Sequence, residues 1–254
     1  VDGVELKMDL YFPPQTANPA PVAVFVHGGG WSQGDKTQGG LIPFTDLASQ
    51  GFLVATVNYR LAPRYKFPAM IEDVKCAVRY LRANAVRLNV DPNRIGAWGG
   101  SAGGHLVALL GTTDASAGFD VGEYAEQSSR VHAVVDMFGP TDLNAMFPNA
   151  SARVIQNIFA IRSSPEETAK LASPVTYVTK DDPPFLILQG DKDKTVPAEQ
   201  SQMLYDRLKS TGVPATLVMV KNAGHGFAPT GGAISPTREK LIKMIVEFFV
   251  TQLK

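Results

Sequence analysis

"RIGAWGGSAGGHLVALLG", residues 94–111, joins a short apolar run to one apolar helical stripe through Gly99, Gly100, Gly103 and Gly104, set around Ser101 and Ala102. Glycine weakens strands and helices alike because it has the most conformational freedom to lose. Four of them at one junction therefore indicate a corner too tight for side chains. A strand that turns abruptly into a helix forces its corner residue into strained backbone angles and needs bare neighbours. Gly99-Gly100-Ser101-Ala102-Gly103 is the pattern G-x-S-x-G in that strand–turn–helix setting. The corner pushes the Ser101 hydroxyl out at the C-terminal edge of a parallel sheet, where ligands of open α/β sheets bind. Composition alone produces a bare G-x-S-x-G in roughly one chain in ten of this length, so the rest of the chain must supply the partners.

Working outward, β-branched runs alternate with helical stretches, which predicts an α/β fold with helices on both faces of a mostly parallel central sheet of about eight strands. "VELKMDLYF" (4–12) alternates and reads as an edge strand, whereas "PVAVFVH" (21–27) is continuously apolar, as a strand buried on both faces requires. "FLVATVNY" (52–59), "RIGAW" (94–98), "VHAVVDMF" (131–138), "PFLILQG" (184–190) and "ATLVMV" (215–220) complete the strands. Met70, Ile71, Val74, Ala77, Val78 and Leu81 recur at helical spacing behind Pro68, and 197–210 and 237–254 are further amphipathic helices. No repeat or linker divides the chain, so residues 1–254 are expected to form a single domain. Residues 144–173 carry two prolines and no strong strand, and are predicted to be a small helical cap segment over one end of the sheet.

At 254 residues the chain can bury a substantial core. A formal net charge of zero gives no electrostatic case for nucleic acid or an anionic membrane surface. No apolar run reaches the roughly 18 residues of a membrane span. The one cysteine, Cys76, cannot form an internal disulfide and reads as a packed mid-helix thiol. The chain opens on Val1, which is compatible with a removed leader, so cytoplasmic and secreted locations both stay open. No readable feature sets the oligomeric state.

A hydroxyl nucleophile needs a base, and the chain offers His27, His105, His132 and His225. His105 shares a helix face with Ser101, but that helix runs away from the hydroxyl, which makes it a core histidine. His132 opens a strand with no constellation around it. His225 follows the last strand in the glycine-flanked loop "NAGHGF" and can reach over the sheet edge. A base in turn needs a carboxylate to hold its tautomer. "PFLILQGDKDKTVP" presents Asp191 and Asp193 at the same edge, and chemistry alone does not choose between them. "HGGGW", directly after the central strand, supplies Gly28 to Gly30 as a loop of bare amides for a developing oxyanion, with the Ala102 amide as a further donor.

With "HGGGW", "NYRLAP", "FPAMIEDVKCAVRYL", "GGSAGGHL", "GDKDKTVP" and "AGHGF" in this order, almost the whole chain resembles the α/β-hydrolase esterases. Within them it is most similar to the hormone-sensitive-lipase-like branch and the related bacterial feruloyl and acetyl-xylan esterases. The resemblance implies that Ser101 is the nucleophile, His225 the base and Asp193 the acid, with Asp191 a turn residue. It matches Gly29, Gly30 and Ala102 to the oxyanion donors and His27 to a residue that braces their loop. It departs from the hormone-sensitive-lipase-like pattern in starting almost at its first strand and in carrying Gly100 where an acidic residue is common. Both departures favour a compact enzyme over a lipase for long-chain triglycerides.

The expectation is a serine hydrolase for short-chain or aryl carboxylic esters, acetyl or feruloyl in type, working through an acyl-enzyme without metal or organic cofactor. Its partner is a small-molecule ester, carbohydrate-linked esters included. The substrate pocket is expected to be small and apolar, lined by Trp31, Phe138 and Phe227, with Met146 and Phe147 as a roof. Two alternatives use the same fold: an amide hydrolase of the kynurenine formamidase type, and a non-catalytic binding protein, which would show a broken triad or oxyanion loop.

Overall fold

The computed structural model describes residues 3–14, 18–147, 157–160 and 164–254. Its strands are β1 (Met8–Tyr11), β2 (Ala20–Val26), β3 (Leu53–Val57), β4 (Val90–Gly100), β5 (Ala133–Met137), β6 (Phe185–Gly190) and β7 (Ala215–Val220). They form one sheet in the order β1-β3-β2-β4-β5-β6-β7. β1 pairs antiparallel with β3, and every other neighbouring pair is parallel. The sheet has seven strands where the sequence predicts about eight: each apolar run makes one strand, and among the described residues no eighth run joins them.

The helices are α1 (Phe44–Ser49), α2 (Ala69–Ala83), α3 (Ala85–Leu88), α4 (Ala102–Thr112), α5 (Leu143–Met146), α6 (Pro165–Leu171), α7 (Ala198–Thr211) and α8 (Arg238–Leu253). Because side chains alternate across a strand, β2 serves two cores. Val22, Val24 and Val26 pack on one face with Met70, Ile71, Val74, Val78 and Leu81 of α2, Leu106 and Leu110 of α4, and Leu204 and Leu208 of α7. Ala23 and Phe25 face the other side, with Leu47 of α1 and Leu241, Ile245, Phe249 and Leu253 of α8. The α8 residues recur every fourth position, the stripe by which a helix covers a sheet. Burying each such side chain contributes roughly 1.5–3 kcal/mol.

Two details hold the site end together. In the "NYRLAP" stretch, Arg60 is buried and its Nε donates to both carboxylate oxygens of Asp73 on α2, at 3.0 and 2.9 Å. Removing one partner of such a buried pair leaves the other charge uncompensated, so the pair ties the loop after β3 to α2. The predicted excursion over 144–173 contains α5 and α6, while 148–156 and 161–163 lie outside the described residues. Between them Phe159 is fully buried against Trp31 and Phe67.

After β2 the chain moves outward to β3, then crosses to the other side of β2 to make β4. The crevice beyond the carboxyl ends of β2 and β4 is thus a topological switch point, the usual ligand position in such sheets. "HGGGW" leaves β2 there, and Ser101 leaves β4.

Candidate active site

Ser101 has φ 57° and ψ −123° between β4 and α4, a conformation L-residues rarely adopt. Its amide donates to the Met137 carbonyl at 2.9 Å, tying the corner to the end of β5. Gly103 shows why the corner needs bare residues: a Cβ there would lie 2.1 Å from the Val26 carbonyl oxygen. The elbow is therefore wedged between the ends of β2 and β5.

The His225 Nε2 lies 3.0 Å from Ser101 Oγ, and its Nδ1 lies 2.7 Å from Asp193 Oδ2. Asp193 can only accept when ionised, so Nδ1–H donates to it and Nε2 is left to accept the Ser101 hydroxyl proton. The Asp193 side chain is fully buried, and its Oδ1 accepts from the amides of Thr195 (2.8 Å) and Val196 (3.0 Å). Burial alone would push this carboxyl up, but the bond to His225 and the Val196 and Thr195 amides outweigh it and hold it below the usual carboxylate range. Asp191 takes no part in this chain of bonds. It stays exposed and accepts from the Ala223 amide at 3.2 Å.

The glycine loop lies against the elbow. A Cβ on Gly28 would sit 3.6 Å from Ser101 Cβ. Gly29, at φ +108°, has room for no side chain, since a Cβ would meet the Gln33 carbonyl oxygen at 2.2 Å. Among the described residues the amides of Gly29, Gly30 and Ala102 donate to no protein acceptor. His27 braces the loop from beneath. Its Nδ1–H donates to the Gly28 carbonyl at 2.8 Å, and its ring stacks on Tyr59 at 4.2 Å. Burial pushes its pKa down and its Nε2 has no partner, as suits a neutral ring.

Trp31 is placed differently from the expectation. It is buried rather than cleft-lining, and its Nε1–H donates to Nδ1 of His105 at 3.0 Å. His105 Nε2–H in turn donates to the Ala172 carbonyl at 2.7 Å, and full burial lowers the His105 pKa to about 4. The hydrogen bond to a histidine on α4 draws the indole inward, where it anchors the end of the glycine loop. His132 accepts the Ile95 amide at 3.3 Å, far from this constellation in the bonding scheme.

A cleft of about 650 Å³ opens above Ser101. Phe138 and Phe227 line it, together with Phe25, Leu41 and Met137, all of which pack with the α8-side core. Phe147 packs with the opposite core, and neither it nor Met146 lines the cleft. The Phe138 ring makes edge contacts with both His225 and Phe227, at 4.9 Å between centroids. The rim is polar, not apolar as expected: Ser32, Gln33, Gln38, Thr195 and Arg238 complete the lining. Gln33 and Gln38 follow the glycine loop within eight residues, a sequence signal for that part of the rim; Arg238 lies in a distant helix and carried none. A roomier hollow of about 920 Å³, lined by Val4 to Asp9, Cys76 and Tyr80 among others, contains neither the Ser101–His225–Asp193 group nor the glycine loop. Size is thus a poorer guide to the site than chemistry.

The arrangement resembles known proteins. The BD-FAE family model matches residues 8–208. Esterase LipC of Mycobacterium tuberculosis is 34% identical over 221 residues, 85% of this chain and 55% of LipC. The chain thus spans about half the length of the curated relatives it matches. Among solved structures, esterase 2 of Thermogutta terrifontis with propionate bound has a TM-score of 0.82 at 29% identity, covering 99% of this chain and 91% of that one. A truncated carbohydrate esterase from gut microbiota has a TM-score of 0.76 at 30% identity, covering 96% and 90%. Among the described residues no helix is long and apolar enough to cross a membrane.

Proposed function

The chain belongs to the BD-FAE family of α/β-hydrolase esterases, and from that membership we propose that it is a serine carboxylic ester hydrolase. The observation that carries the reading is the unbroken relay from Ser101 Oγ through His225 to Asp193, at 3.0 and 2.7 Å. His225 Nε2 removes the Ser101 proton as the oxygen attacks the ester carbonyl, and Asp193 stabilises the imidazolium that forms. The carbonyl electrons move onto oxygen, which is held by the amides of Gly29, Gly30 and Ala102. Each such donor is worth roughly 3–4 kcal/mol of transition-state stabilisation. Collapse of the tetrahedral adduct breaks the bond to the alcohol, which leaves with the proton from His225. Water then enters, gives its proton to His225 and releases the acid by the same steps in reverse order of bonds.

The substrates are short-chain or aryl esters, acetyl or feruloyl in type, including carbohydrate-linked ones. The aromatic floor of Phe138 and Phe227 suits a small acyl or aryl group. Ser32, Gln33, Gln38 and Thr195, whose side chains make no hydrogen bonds among the described residues, suit a hydroxylated alcohol. Residues 1–254 are read as one catalytic domain with a small helical cap segment, 144–173.

Hydrolysis of 4-nitrophenyl acetate, butyrate and laurate, methyl ferulate and an acetylated xylan tests this reading. Turnover should favour the short acyl and feruloyl esters and fall by roughly 10⁴-fold or more in Ser101→Ala. Turnover that survives in Ser101→Ala, or a steep preference for laurate, would contradict it.

A further inference from the structure

Arg238 lines the cleft beside Ser101 and His225, and these two, Arg238 and His225, are its only ionisable lining residues among those described. The arginine is exposed and makes no ion pair with a described residue. Its one hydrogen bond to a described residue runs from Nη2 to the Gly226 carbonyl at 3.1 Å. That bond fastens the guanidinium to the turn His225–Phe227, and leaves the rest of its five N–H donors uncommitted.

The capping of α8 gives no reason for the charge. Arg238 is the first residue of α8, where the positive end of the helix dipole disfavours a cation. The N-terminus is already served by the Thr237 hydroxyl, which accepts the Lys240 amide at 3.4 Å, and by Glu239 in the first turn. Among the described residues no carboxylate lines the cleft to compete for the guanidinium, and the other polar lining residues Ser32, Gln33, Gln38 and Thr195 are all neutral. A planar fork of donors matches a carboxylate through two parallel hydrogen bonds, which a neutral group cannot reproduce.

We propose that Arg238 makes this cleft selective for esters that carry a carboxylate near the scissile bond. The proposal rests on the ester hydrolase reading and narrows its substrate class. The guanidinium takes no part in bond making; it holds the anionic end of the substrate while Ser101 attacks the other.

Two matched pairs of substrates test it. 4-Nitrophenyl hemisuccinate against 4-nitrophenyl butyrate places the charge on the acyl side, and 4-acetoxybenzoate against 4-acetoxybenzamide places it on the alcohol side. The readout is the ratio of kcat/KM for the anionic ester to that for its neutral partner. In at least one pair, Arg238→Gln should lower the ratio roughly three- to fivefold, the upper range for an exposed ion pair. Arg238→Lys should restore it in part and Arg238→Glu should lower it further. The wild-type ratio should also fall as ionic strength rises from about 0.01 M to about 0.5 M, because salt screens exposed charges. Ratios in both pairs that do not move in Arg238→Gln, while the esters are still hydrolysed, overturn the selectivity and leave the esterase reading standing. Equal losses on charged and neutral esters also overturn it, since they mark a structural role. Absence of hydrolysis of all four esters by the wild type overturns both.

Discussion

Four of the seven non-glycine residues with positive φ among those described are Trp31, Ser101, Phe138 and Phe227, in the loops that follow β2, β4, β5 and β7. Each such conformation costs on the order of 1–3 kcal/mol and persists only where the surroundings enforce it. Their gathering at one rim matches a site built under strain. Within it the two carboxylates make separable predictions. Asp193→Asn should lower kcat by roughly 10⁴-fold, because an amide favours the wrong histidine tautomer. Asp191→Asn should leave kcat nearly intact, because that side chain only braces the Ala223 amide. Steady-state kinetics on a 4-nitrophenyl ester check this, and the reverse ranking would transfer the role to Asp191. A second residue-scale prediction concerns stability. Burial raises the Asp136 pKa from 3.8 to about 7, and the Gly139 amide only partly offsets it. The folded state therefore favours the protonated carboxyl, and this contribution is present below pH 3.8 and lost as pH rises to about 7. His105 runs the other way. Its pKa falls from 6.5 to about 4, so its contribution is present above pH 6.5 and lost as pH falls to about 4. Between pH 4 and 6.5 the two slopes oppose one another. In Asp136→Asn only the histidine slope remains, so denaturation midpoints of the variant should climb with pH relative to wild type, by at most about 1.4 kcal/mol per unit. A constant difference across that range would contradict the account.

At the scale of elements, the glycine loop after β2 and the helix after β4 are joined by one buried hydrogen bond, Trp31 to His105, at 3.0 Å. Trp31→Phe keeps the ring but leaves His105 Nδ1 buried without a donor, at a cost of roughly 1–3 kcal/mol. It also frees the end of the glycine loop. The expected outcome is a lower denaturant midpoint together with a reduced kcat on neutral esters, while KM changes little. A lowered midpoint with unchanged kcat would show that the loop needs no anchor. The same pair marks the limit of what local sequence can say. The elbow is legible at 99–103 because steric exclusion leaves a glycine signature. His225 is legible because the loop after the last strand must present its side chain at the sheet edge. Asp191 and Asp193 have nearly identical local surroundings, and only the likeness to the family separates them on sequence. Trp31 reads as a pocket residue because it follows the glycines, but a histidine 74 positions away draws it into the core.

Over the whole molecule, the phenylalanines that line the cleft all lie on one side of the sheet. Trp31, Phe67 and Phe159 pack on the side of α2, α4 and α7, whereas Phe25, Phe138 and Phe227 pack on the side of α1 and α8. The cleft opens among the second group, so α8 supplies its Arg238 while the segment around α5 and α6 supplies none of its described lining. Hydropathy patterning reveals the helices and strands but not which side of the sheet each covers, and this is why the polar rim escapes a reading of the sequence. The fold itself was largely legible, since short apolar, β-branched runs mark the strands and near-period-four apolar spacing marks the long helices. The central claim is that these separate loops converge to make Ser101 the reactive group. Its most direct measurement is mass spectrometry of the intact protein and its peptides after reaction with a fluorophosphonate. The account predicts one adduct, on Ser101, formed much more slowly in His225→Ala and absent in Ser101→Ala. Labelling of another residue, or labelling of Ser101 at an unchanged rate without His225, would contradict it.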